Sequence, residues 1–196
     1  QNETLTGLVT GGYSSGSDSH FLGRGNSSTR TQANNQQRNS DTPILRIGFE
    51  HNNENNIGLH RQLGIAFKNG LTFANDYGFD SPMYDSQLTE IYWKFPSDDN
   101  RYLIAGVQEL TEDLQIPLDL VVGEEEPVTF MVDGKRNINY PIFLYDAVDG
   151  ISYTLTFPTE INLPIGTYTD RFFITFEAQG VVLDNDEEVI KNNTIF

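Results

Sequence analysis

The chain has 196 residues, 28 of them acidic and 12 basic, for a formal charge of −16. Such a field repels phosphate backbones and anionic headgroups, so nucleic acid is excluded from the expected partners and so is membrane docking. There is no cysteine, and no stretch approaches the roughly 18 apolar residues of a membrane-spanning helix.

Residues 1–42 are rich in Ser, Asn, Gln, Thr and Gly, with apolar islands only at Leu5–Val9 and Phe21–Leu22. This composition predicts an extended segment packed on a folded domain, its islands serving as short edge strands. The polar start at Gln1 suits a mature or trimmed chain rather than a signal peptide.

From Pro43 the pattern tightens into period-two alternation. Ile44–Phe49 and Leu63–Phe67 each place apolar residues on one face, and Ile91, Trp93 and Phe95 share a face with Tyr92 turned the other way. The segment from Arg101 to Val107 is more continuously apolar, which predicts cover on both sides. Alternation returns at Ile116–Val122 and Val128–Val132. The runs Ile142–Tyr145 and Ile151–Leu155 flank a hairpin loop ending in Gly150, and Phe172, Ile174 and Phe176 form a last core face. Prolines fall mostly at strand ends, as their missing N–H requires. Taken together, residues 43–180 predict an all-β fold, an antiparallel β-sandwich or jelly-roll-like domain of about ten strands. Trp93, Phe95, Ile104, Phe130, Phe172 and Phe176 are its expected core. Residues 181–196 predict an acidic linker.

No catalytic constellation stands out. The chain lacks a Gly-x-Ser-x-Gly elbow, and His20, His51 and His60 are too scattered to predict a triad or a zinc site. The acidic clusters Glu124–Glu126 and Asp184–Glu188 read as solvated turns. The pair Asp170–Arg171 beside the last core strand reads as a device that orders the sheet edge.

The most distinctive local segment runs from Ala74 to Asp85. Asn75, Asp76, Asp80 and Asp85 gather hard oxygen donors in one loop, the donor set that suits Ca²⁺. The alternative is that Asp76 and Asp80 accept backbone N–H groups in Asx turns or neutralise Arg61. Tyr77, Tyr84 and Tyr92 are the candidate exposed aromatics, since sugar rings stack on such faces. The single Trp93 belongs by periodicity to the core.

Three strings in order carry a resemblance: Leu59–Phe67 with its Arg61-Gln62-Leu63, then Asn75-Asp76-Tyr77-Gly78-Phe79-Asp80, then Tyr102–Val107. They are followed by Ile116-Pro117-Leu118-Asp119-Leu120, Asp133-Gly134, Ile142–Asp146 and the ending Gly166–Phe176. This series, over about residues 43–178, resembles the β-sandwich region that precedes the C-terminal sorting domain in Bacteroidota proteins exported by the type IX secretion system. The tail from Val189 to Phe196 looks like the approach to such a sorting domain, cut before it begins. The resemblance implies extracellular display or release at the bacterial outer-membrane surface, with the secretion machinery as a partner of the parent protein. It implies a non-catalytic adhesin-like or stalk module. The other expectation is a carbohydrate-binding module with a polysaccharide or cell-surface ligand, attached to a polysaccharide-active protein.

Overall fold

The computed structural model describes residues 41–52, 58–97 and 99–183. The chain divides into two units, Gln1–Asn39 and Ser40–Phe196. The expected edge strands at Leu5–Val9 and Phe21–Leu22 lie outside the described residues, as do His20 and the acidic run from Asp184.

Among the described residues there is no helix; all regular structure is β. The strands are β1 (Ile44–Asn52), β2 (Gly58–Phe67), β3 (Ser81–Pro82), β4 (Glu90–Trp93), β5 (Tyr102–Val107) and β6 (Gln115–Val122). They continue with β7 (Val128–Arg136), β8 (Phe143–Asp146), β9 (Ile151–Thr154), β10 (Thr159–Ile161), β11 (Gly166–Thr175) and β12 (Val181–Leu183). The spatial order is β10-β7-β1-β2-β5-β4-β6-β11-β8-β9-β12, with β3 beside β5.

Two of these pairings correct the antiparallel expectation: β2 runs parallel to β5, and β9 runs parallel to β12. A parallel neighbour needs a long crossover. The stretches between β2 and β5 and between β9 and β12 supply it, each carrying two other strands. Period-two patterning reports which face a side chain takes but carries no information on strand direction.

The sheet is curled. Strands β7 and β11 stand six positions apart, roughly 29 Å in a flat sheet at about 4.8 Å per strand. Yet the rings of Phe130 on β7 and Phe172 on β11 lie 6.4 Å apart. Phe67 at the end of β2 and Phe176 just after β11 meet edge to face at 5.6 Å. The inward alternate residues therefore face one another across a common core, which holds Leu45, Ile47, Phe49, Ile65, Ile116 and Ile174 fully buried.

Strands β4 and β5 share the single pair Trp93↔Tyr102, a thin seam in the ladder. Trp93 braces that seam: its indole N–H donates to the Gly64 carbonyl of β2 at 3.0 Å. Pro117 lies within β6, but β4 pairs with β6 only from Leu118 to Val121, so the missing N–H of Pro117 interrupts no ladder on that side.

Of the expected core, Trp93, Phe95, Phe130, Phe172 and Phe176 are buried. Ile104 is not; it is 52% exposed. It shares a face of β5 with Tyr102 and Gly106, both covered by other parts of the chain, but itself stands opposite Gly64, which offers no side chain to cover it. Apolar continuity along β5 does reflect cover on both faces, and Ile104 is the gap in that cover.

The stretch read as an acidic linker begins as structure, because Val181–Leu183 form β12. Gly180, at φ 64°, turns the chain so that the Val181 N–H reaches the Gly150 carbonyl at 3.0 Å.

Candidate functional site

The segment between β2 and β4 begins where Lys68 N–H donates to the Val107 carbonyl, which ties it to the end of β5. Asp76 accepts from the Thr72 backbone N–H at 2.7 Å and from its hydroxyl at 3.2 Å. Asp80 accepts from the Asp76 N–H at 2.6 Å with one oxygen, and from the Gly106 N–H of β5 at 2.7 Å with the other. Between them, Phe79 N–H returns to the Asp76 carbonyl at 3.0 Å, closing a turn with Gly78 at φ 85° in the position that demands a positive value.

The loop is also clamped by packing. At Gly106 a Cβ would fall 2.6 Å from Leu71 and 2.9 Å from Phe79, so glycine there lets the loop lie directly on the sheet. Phe73 meets Phe95 edge to face at 5.3 Å, and Phe95 stacks on Tyr102 at 5.7 Å. Asn75 donates to the Tyr102 hydroxyl at 3.0 Å.

Of the four predicted oxygen ligands, then, Asp76 and Asp80 come together, but through the Asp76 N–H. The Asn75 amide N–H is turned to Tyr102, and Asp85 sits 3.6 Å from Arg61. Among the described residues no group of three or more His, Asp or Glu side chains is arranged to hold a metal ion. Backbone N–H groups lie against both carboxylates, but they come from four residues back and from β5, not from two residues on, so the expected Asx turns are not what holds Asp76 and Asp80.

The same loop presents Tyr77 and Tyr84, 100% and 92% exposed. Phe79 is partly exposed, with the Lys68 ammonium 4.9 Å from its ring centre. Tyr92 does not join them, which corrects its reading as an exposed aromatic. It is buried on β4 opposite Asp119, with the Arg101 guanidinium 4.5 Å from its ring centre, and this burial pushes its phenol above the usual range. All four residues of β4 are covered on both faces, so alternation there does not separate inside from outside.

Arg61 pairs not with Asp76 or Asp80 but with Glu90. Its Nε donates to Oε1 at 2.8 Å and its Nη2 to Oε2 at 2.5 Å. Glu90 also accepts from the N–H groups of Gln87 and Ile91, so a carboxylate only 1% exposed is fully satisfied. A fork of this kind stitches β2 to β4 beside the β4–β5 seam. Arg171 plays the matching part at the far side, donating to both oxygens of Asp146 and to Asp149 at 2.6–3.0 Å. Burial alone would raise the Asp146 carboxyl, but the Arg171 contacts and two loop N–H groups outweigh it and hold it below its usual range. Asp170–Arg171 does not sit at a sheet edge, because β11 lies between β6 and β8; Arg171 instead pins the β8–β9 hairpin. Asp170 takes φ 55° within the β11 bulge opposite Asp119.

One polar cluster has no warning in the sequence. On the outer face of β1, β2 and β7, His60 contacts Glu50 through Nδ1 and Asp133 through Nε2, each at 3.0 Å. Gln62 donates to the same Asp133 at 2.7 Å. The irregularity between Arg46 and Ile47 sets Asp133 outside the regular register, and its carboxylate leans over Gly48, where a Cβ would lie 2.3 Å from it. His60 lies 73 residues from Asp133, which no spacing rule detects.

The hydrogen bond to Glu50, aided by Asp133 and opposed by desolvation, raises His60 above its ordinary 6.5. A group raised on folding stabilises the protein fully below its unfolded value and loses that contribution as pH climbs through its folded value. The difference in unfolding temperature between the parent and His60→Gln should thus be largest near pH 5.5–6 and shrink as pH rises above about 6.5. A constant difference across that range would show that His60 titrates alike in both states.

Neither a protein-family model, nor a curated protein, nor a solved structure matches the chain.

Proposed function

We propose that the chain is a non-catalytic extracellular module of an exported bacterial surface protein, in an adhesive or stalk role, and that its contact element is the Lys68–Thr89 segment. The observation that carries this reading is the pairing of a braced loop with two fully presented tyrosines. A single exposed aromatic is ordinary on a protein surface. Two on one loop, whose backbone is held by Asp76, Asp80 and a glycine-floored sheet, offer rigid amphipathic contact area at small entropic cost. The buried charges in this region are each matched to a structural partner, as a scaffold requires. Display at the outer-membrane surface through the type IX route belongs to the same reading and rests on the motif series alone.

A second reading, a carbohydrate-binding module, is favoured by the same tyrosines, because a pyranose face stacks on an exposed phenol ring. It draws no support from Tyr92 or Trp93, which are core.

The test is binding of the parent and a Tyr77→Ala/Tyr84→Ala variant to a panel of bacterial and host surface polysaccharides, alongside adhesion to whole cells. Binding that falls about tenfold in the variant, with stability changed by less than about 0.5 kcal/mol, assigns the contact to the loop. Saccharide binding would select the carbohydrate module. Adhesion without saccharide binding would select the adhesin, and binding unaffected by both substitutions would remove the loop from the reading. The same proteins should be unfolded in Ca²⁺ and in chelator. With N–H groups on one oxygen of Asp76 and on both oxygens of Asp80, the two unfolding temperatures should coincide. A Ca²⁺-dependent rise that Asp80→Asn abolishes would instead assign those carboxylates to the cation.

A further inference from the structure

The ends of four strands come together around Pro43. β1 begins at Ile44, opposite Ala66 of β2 and opposite Arg136, the last residue of β7. β2 and β5 finish side by side at the pair Phe67↔Val107. The Phe67 N–H donates to the Pro43 carbonyl at 3.1 Å and the Lys68 N–H to the Val107 carbonyl at 2.9 Å, which holds these ends in place. Gly70, at φ 90°, turns the chain after β2, and the Leu71 N–H closes on the Lys68 carbonyl at 3.2 Å. Asn137, at φ 54°, turns it after β7 in a conformation that asparagine adopts more readily than most side chains.

Between these connections and the approach to β1 lies a cleft of about 530 Å³. That volume falls within the roughly 300–1,000 Å³ of small-molecule sites. Pro43, Phe67 and Leu110 supply its apolar surface. Half-buried Tyr140 joins them, its ring 6.3 Å from that of Phe176, which meets Phe67 at 5.6 Å, so the aromatic part is anchored in the core. The polar groups are Asp41, Asn69, Glu109 and Asn139, all exposed. Among the described residues, no hydrogen bond or ion pair engages these four side chains. Lys68 borders the cleft too, but its ammonium lies 4.9 Å from the Phe79 ring centre.

We infer that this cleft binds a short neutral saccharide. Amides both donate and accept, carboxylates accept, and a phenol does both, which is the complement of a ring of hydroxyls. The Asn69 and Asn139 amides and the Asp41 and Glu109 carboxylates take those hydroxyls, and a C–H face of the sugar lies against Tyr140. A purely apolar ligand would strip water from four polar side chains and return no hydrogen bond to them. Two carboxylates on the wall, in a chain of −16, repel uronates, sulfated sugars and phosphates. Neutral sugars carry no such penalty. The inference does not rest on the tyrosine loop, because neither Tyr77 nor Tyr84 lines the cleft.

The test is a nuclear magnetic resonance titration of the full 196-residue chain with lactose, cellobiose, chitobiose and digalacturonic acid. Each is taken to about 50 mM, enough to register a millimolar dissociation constant. At least one neutral disaccharide should shift the side-chain amides of Asn69 and Asn139 and the ring signals of Tyr140. Digalacturonic acid should bind about tenfold more weakly than that sugar. Asn69→Ala and Asn139→Ala, both at exposed positions, should each weaken binding about tenfold and leave the unfolding temperature at the parent's value. An Asp41→Asn/Glu109→Gln variant should narrow the gap between neutral and acidic sugar, and Tyr77→Ala/Tyr84→Ala should leave the titration unchanged. No shift in the cleft with any of the neutral sugars would overturn the inference. Tighter binding of digalacturonic acid would overturn it as well. Shifts confined to the tyrosine loop would also overturn it, while leaving the loop's own role standing.

Discussion

Replacing Arg61 with alanine is expected to lower the unfolding free energy by about 3–5 kcal/mol, because it strands a buried carboxylate. Glu90 is almost without solvent access, and among the described residues Arg61 is the cation placed on it. Two N–H groups, from Gln87 and Ile91, remain after the substitution, but they cannot neutralise a full charge. The cost reflects exposure of an uncompensated charge, not the net worth of the pair, and the double substitution Arg61→Met/Glu90→Leu should recover most of it. Chemical denaturation of the parent, both single variants and the double variant closes the cycle. Loss of less than about 1 kcal/mol in Arg61→Ala would mean that water reaches Glu90 and that the β2–β4 link does not depend on this fork.

Phe172→Ala should cost a similar amount, about 3–5 kcal/mol, through a different cause. The Phe172 ring is fully buried, 6.4 Å from that of Phe130 and 6.1 Å from that of Tyr168, and the Arg171 guanidinium lies 5.2 Å from its centre. Its removal opens a cavity where β7 faces β11, the contact that makes the sheet curl. Phe130→Ala should be less than additive with it, because the two truncations empty one shared space. Unfolding of Phe172→Ala at the parent's temperature would contradict the placement of β11 against β7.

What alternation can report, it reported well here. The inward rows of β1, β6 and β7 follow from period two, because one buried face per strand is all that such a pattern encodes. The same rule misread Tyr92 and Ile104, and for related reasons. β4 is covered on both faces, so Tyr92 is buried though it points away from Trp93; β5 has a gap in its cover, so Ile104 is exposed within an apolar run. Cover comes from elements distant in the chain, and a local pattern holds no record of it.

The candidate site divides along the same line. The Asp-rich loop and its two presented tyrosines were legible, because polar residues and glycine between apolar runs mark a loop whatever surrounds it. Which groups the carboxylates take was not: Asp80 holds Gly106 across 26 positions, and Arg61 selects Glu90 over nearer acids. The His60 cluster was illegible too, since a bulge in β7 and a glycine in β1 are needed to bring Asp133 within 3.0 Å. Composition and periodicity by themselves determined an all-β chain, the faces of most strands and the place of the aromatic loop, because these depend on neighbours in sequence. The parallel pairings, the curl and the Arg61–Glu90 fork were decided by tertiary structure alone. Each depends on which distant strands share a hydrogen-bond ladder, a choice set by the packing of the whole core.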